Sequence, residues 1–129
     1  MDELRGIEDC LTRAMAIPGA QGVTLVDYTS GLVIAAAGSE QLLDRDENAA
    51  GMTDLLRAVL ASPALSSTPT GDDIEDIVIS GTAGYHLLAL IRTVFDGQLF
   101  LHVRLDRRRG NIALARHSIQ LIVREMVAP

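Results

Sequence analysis

The shortness of the links between its β-rich runs constrains this chain most. Runs at 22–27 and 32–37 are separated only by Tyr28-Thr29-Ser30-Gly31. Gly81-Thr82-Ala83-Gly84 separates the runs at 74–80 and 85–95, and Asp96-Gly97 joins 85–95 to 98–105. Parallel neighbours need a crossover of a dozen or more residues, so these strands form a mainly antiparallel sheet. Asp-Gly between apolar runs is a two-residue hairpin signal. It predicts Val94 opposite Leu99 and Ile91 opposite His102, with His86 and His102 on opposite faces of the sheet.

Helical periodicity fills the gaps. Leu4, Ile7, Leu11, Ala14 and Met15 recur at three and four residues over 2–17, and Pro18-Gly19 stops the pattern. A second helix is predicted over 42–61, ending before Pro63. A closing helix carries Ile112, Ala115, Ile119, Ile122 and Met126, with Asp106 as its N-cap or a near-cap. The stretch 62–73, rich in Pro, Ser, Thr and Gly, reads as a mobile loop. The expected order is αββαβββα: an α/β (α+β) chain, a five-stranded mainly antiparallel sheet with helices on both faces. Runs such as 86–91, apolar at successive positions, fit a sheet covered on both sides.

The second helix has surplus apolar surface. Ala49, Thr53, Leu56 and Leu60 form one stripe, and Met52, Leu55 and Val59 widen it to an arc of about 160°, beyond the ~100° that facing one core requires. Either the helix is sunk deep in its own sheet or it faces a second partner. Ala49-Ala50-Gly51 would let another backbone come close, although a mid-helix glycine costs about 1 kcal/mol against alanine. Leu114 and Leu121 lie on the far side of the closing helix, which can also face two neighbours.

At 129 residues and 13.8 kDa, 1–129 is expected to form a single domain, and 48% hydrophobic with 22% charged residues is a globular composition. No apolar run reaches the ~20 residues of a membrane span, and the acidic start "MDELRGIEDC" is unlike a signal peptide. A cytoplasmic protein without direct membrane insertion is expected. One cysteine, Cys10, cannot make an internal disulfide.

Charge and residue type then exclude chemistries. A net charge of −6 makes nucleic acid a poor partner. All 11 basic residues are arginine, which removes a P-loop lysine, Schiff-base chemistry and a lysine base together. The Arg107-Arg108-Arg109 cluster reads as a solvated helix entrance. Gly31 leads into a strand and not a helix N-terminus, so it is a turn residue and not a phosphate cradle. No metal is expected: His86, His102 and His117 do not converge, and zinc needs three or four ligands. Acidic Glu8 and Asp9 would raise the Cys10 thiol pKa. Ser30 has no evident base, and the acidic run 72–76 reads as edge-strand protection. With 3% aromatic residues, base-stacking platforms are not expected either. No catalytic residue and no cofactor are assigned.

The element order, the "IPGAQGVTLVDYTSGLVIAAAG" segment and the closing "FDGQLFLHVRLDRRRGNIALARHSIQLIVREM" together resemble the roadblock/dynein light-chain domain family. The family's turn often has an acidic residue before glycine; here Ser30 stands there. The short arginine-rich form is most similar to the actinobacterial conservon proteins, encoded beside a sensor histidine kinase and a Ras-like small GTPase. This resemblance implies a non-catalytic homodimer built on second helices and sheet edges, a regulator or adaptor for such a GTPase, with a link to the kinase and recruitment to the membrane through a partner. The implied interface residues are Met52, Leu55 and Val59, with Asn48, Gly51, Ile77 and Ile79. The competing reading is a small-ligand-sensing domain of a signalling pathway, which needs a cavity against the sheet.

Overall fold

A computed structural model describes residues 2–38, 42–92 and 98–127. The elements run α1 Asp2–Met15, β1 Ala20–Asp27, β2 Leu32–Gly38, α2 Leu42–Ala61, β3 Asp76–Ser80, β4 Gly84–Arg92, β5 Gln98–Asp106 and α3 Ile112–Val127. The five strands form one sheet in the order β2-β1-β5-β4-β3, and every neighbouring pair is antiparallel. The order αββαβββα and the antiparallel sheet stand as expected.

The sheet separates two apolar layers. On one face α1 and α3 bury Cys10, Ala14, Ala115 and Ile119 against Leu25, Leu87, Leu101 and Val103. On the other, α2 alone places Ala49 and Leu56 over Val26, Leu88, Leu90 and Phe100. Two helices cover the first face and one covers the second. Strands between such layers are apolar at successive positions because helices pack on both faces.

The β4–β5 register differs from the one predicted. The Asp96-Gly97 turn and Val94 lie outside the described residues, but Arg92 pairs with Gln98 and Ile91 with Leu99, leaving five residues between the strands. His102 sits opposite Leu88, not Ile91. Burial decides this: the observed register gathers Leu87, Ala89, Ile91, Leu101, Val103 and Leu105 on the α1/α3 face. An odd shift would turn one strand's apolar set outward.

Two further expectations change. Asn111, not Asp106, caps α3: the Leu114 amide donates to Asn111 Oδ1 at 3.1 Å. Asp106 instead accepts from the Arg108 amide and from Arg109 Nε within the preceding turn. The 62–73 loop is anchored rather than loose. Ser66 Oγ and Ser67 Oγ each donate to the Asp73 carboxylate at 2.6 Å, and the Ser67 amide donates at 2.9 Å. Gly71, at φ +73°, packs so closely on α2 that a Cβ would lie 2.7 Å from the Leu60 backbone.

Candidate interaction face

On the α2 side, strand alternation aims Ile77 and Ile79 of β3, His86 and Leu88 of β4, and Phe100 and His102 of β5 the same way. The C-terminal half of α2, with Ile74 and Ile77, closes the end around Leu88, Leu90 and Phe100. Toward the other end Ile79, His86 and Arg104 remain half-buried. The edge strand β3 borders this area and is tied to α3, where Arg116 Nε and Gln120 Nε2 donate to Asp76 Oδ2 at 2.6 and 3.0 Å.

The predicted interface residues gather along this side. Met52 is half-buried and packs on the core beneath α2. Leu55 and Val59 are half-buried without joining that core, and Asn48 and Gly51 are exposed. A Cβ on Gly51 would meet nothing within 4 Å, so its own chain does not require glycine there. Ile77 packs inward, and Ile79 lies half-buried beyond it on the same face. The surplus arc of α2 thus divides: Met52 serves its own core, and Leu55, Val59 and Gly51 are left outward.

His86 and His102, predicted to face apart, are partners. His86 Nδ1 lies 2.9 Å from His102 Nε2, and the rings stack at 5.2 Å between centroids. One ring must donate and the other accept, so the bond needs at least one nitrogen of the pair unprotonated. Burial, then the charge of His86 and of Arg104, lowers the His102 pKa to about 4. Residue parity carries the shared face but not the pairing: in 85–91 and 99–105 the odd positions are apolar or Tyr, and His86 and His102 are even.

Arg107 of the basic cluster, two arginines of α2 and two aspartates of the acidic run have structural partners. Arg107 donates to Ser80 Oγ and Gly81 O and lies over the Tyr85 ring. Arg57 donates to Tyr28 O and Thr29 O at 2.7 and 2.8 Å, and Arg45 to Gly38 O. Burial pushes the Cys10 thiol up to about 11, with Arg13 opposing and Asp9 adding to the rise. The acidic neighbour contributes as expected, but burial is the larger cause. Asp73 and Asp76 of the acidic run anchor a loop and a strand. Among the described residues, no three His, Cys, Asp or Glu side chains converge as a metal site.

Compared with protein-family models and with curated proteins, the sequence matches none. Solved structures do match. Myxococcus xanthus MglB superposes with a TM-score of 0.79 at 20% identity, over 98% of this chain and 89% of that one. A Roadblock/LC7 domain from Streptomyces avermitilis gives 0.69 at 18%, over 88% of each chain. The fold is roadblock-like. The gliding protein MglB of Thermus thermophilus extends the likeness, at 0.76 and 14% identity over 98% of this chain and 92% of that one. In this roadblock-like domain the half-covered α2 side is the face on which the predicted residues collect. No helix among the described residues is long and apolar enough to cross a membrane.

Proposed function

We propose that the 1–129 chain acts as one module, a homodimeric regulator or adaptor of a Ras-like small GTPase, without chemistry of its own. The observation that carries this is α2's outward flank. Leu55 and Val59, with exposed Gly51 one turn before Leu55, stand clear of a core that Met52, Leu56 and Leu60 already fill. A second copy's α2 against that flank, with β3 edges alongside, uses Asn48, Gly51, Met52, Leu55, Val59, Ile77 and Ile79. One matching structure is described as MglB with a tetrameric arrangement, so self-association has a precedent in this fold.

The paired α2 helices then offer a symmetric platform to a GTPase. Such a protein shifts a GTPase switch only by its difference in affinity for the two nucleotide states. Arg45 and Arg57 are held by backbone carbonyls of their own chain. Ordering of the GTPase's own residues is therefore favoured over an arginine supplied in trans. Following the conservon resemblance, the module also links the GTPase to a sensor histidine kinase and is recruited to the membrane through a partner.

Two measurements test the reading. Leu55→Asp should give a monomer by sedimentation equilibrium, since an unpaired charge buried in an interface costs about 3–5 kcal/mol; an unchanged dimer moves the interface elsewhere. Binding to a Ras-like GTPase of the source organism, loaded with GDP or a GTP analogue, should differ between the two states. Binding to neither overturns the regulator. Binding with an unchanged hydrolysis rate makes it a scaffold.

A further inference from the structure

A groove of about 360 Å³ runs along the opposite flank of α2, lined by Ser30, Gly31, Leu32, Asp46, Ala50 and Asp54, with Arg57 at its end. It lies where α2 overhangs β2, which is an outer strand of the sheet. Leu32 is 67% and Ile34 44% exposed, so this edge presents apolar side chains beside unpaired backbone. Among the described residues no ion pair engages Asp46 or Asp54, while the groove's one cation, Arg57, is taken up by two carbonyls.

The helix repeat separates this groove from the proposed dimer face. At 3.6 residues per turn, the stripe Asp46-Ala50-Asp54 lies about 170° around the axis from Asn48-Met52-Leu55-Val59. Arg45 reaches Gly38 at the end of β2 and Arg57 reaches Tyr28 in the turn before it, so α2 runs in the direction opposite to β2. Asp46 and Asp54 are eight residues apart, about 12 Å along a helix. Side chains four residues apart on one face of a strand are about 13 Å apart. An extended segment added to the β2 edge would thus set its first and fifth residues against the two carboxylates and its third against Ala50.

We infer that the β2 edge and the α2 flank above it form a docking groove for an extended basic segment of a protein partner. Its pattern is Arg or Lys at the first and fifth positions and a small apolar residue at the third. Backbone pairing supplies affinity, and the alternate side chains supply selectivity. The two carboxylates select against acidic segments.

The probe is a synthetic peptide, Thr-Arg-Thr-Val-Thr-Arg-Thr, titrated at millimolar concentration into the isotope-labelled full chain and followed by amide chemical shifts. Shifts confined to 30–38 and 46–57, weakening with added salt, are expected. Asp46→Asn with Asp54→Asn should reduce affinity about tenfold, as two exposed charge pairs of up to about 0.7 kcal/mol each predict. Both positions are exposed on the helix surface, so the variant keeps its fold and oligomeric mass. Glu in place of Arg in the peptide, or N-methylation of its amides, should abolish binding. The proposal is overturned by the absence of shifts, by shifts elsewhere, by equal binding of the charge-reversed or methylated peptide, or by an unaffected double variant.

Discussion

At the residue scale, the histidine pair links burial to acid stability. His102 is held neutral in the fold, with its pKa lowered to about 4 against 6.5 when free. Between those values the unfolded chain binds the extra proton, so folding stability is full above pH 6.5 and falls as pH drops towards 4. The shift corresponds to about 3 kcal/mol. Urea denaturation of the native chain should therefore show a loss on acidification that His102→Gln largely removes, since glutamine can hydrogen-bond without titrating. An equal acid loss in the variant would place the titrating group elsewhere. Asp73 also loses its contribution in acid, but through a carboxylate that must stay charged. Donation by Ser66, Ser67 and the Ser67 amide holds its carboxyl well below the usual range, so its contribution is present above the ordinary carboxylate pKa and lost on acidification. Asp73→Asn should make cleavage within 62–73 severalfold faster in limited proteolysis, while the β1–β2 hairpin stays resistant.

At the scale of elements, α2 is the segment whose sequence and packing disagree. Its apolar arc is wider than the stripe that joins the core: Ala49, Met52, Leu56 and Leu60 pack there, and Leu55 and Val59 stay half-buried beside it. Gly51 separates intrinsic helix stability from association. Gly51→Ala should stabilise the protomer by about 1 kcal/mol because glycine is the costlier helix residue. Gly51→Trp, with nothing of its own chain within reach of the new Cβ, should leave the protomer folded yet weaken self-association. Circular dichroism and sedimentation equilibrium separate the two effects; a Gly51→Trp dimer of unchanged affinity would remove α2 from the interface. β3 is only five residues long and relies on α3 for position. Asp76→Ala should speed amide exchange in 76–80 without altering β1 or β5.

At the scale of the molecule, one face of the sheet carries two of the described helices and the other carries one. In the proposed dimer a second copy packs on the single-helix side, and anything that binds only the folded state raises its apparent stability by mass action. Thermal midpoints of the native chain should rise with protein concentration, and those of Leu55→Asp should not. A concentration-independent midpoint for both would mean that the monomer is the functional unit.

Much of this was fixed by local chemistry. The element order, the Asp27-to-Gly31 turn and the antiparallel sheet follow from short links and from periodicity, since a link of a few residues cannot carry a crossover. Gly31, at φ +80°, closes that turn as only a glycine does readily. Met52, Leu55 and Val59 were legible as a widened apolar arc, but not how it divides: Met52 packs on the core, and Leu55 and Val59 stay half-buried outside it. What tertiary structure alone decided was pairing across distance. The β4–β5 register came from burying one parity of side chains on the α1/α3 face rather than from the Asp-Gly signal, and that choice turned two separate histidines into a bonded pair. The anchoring of the 62–73 loop on Asp73 likewise depends on a hydrogen-bond geometry that composition does not encode. Local sequence sets which elements form; competition for burial sets which side chains meet.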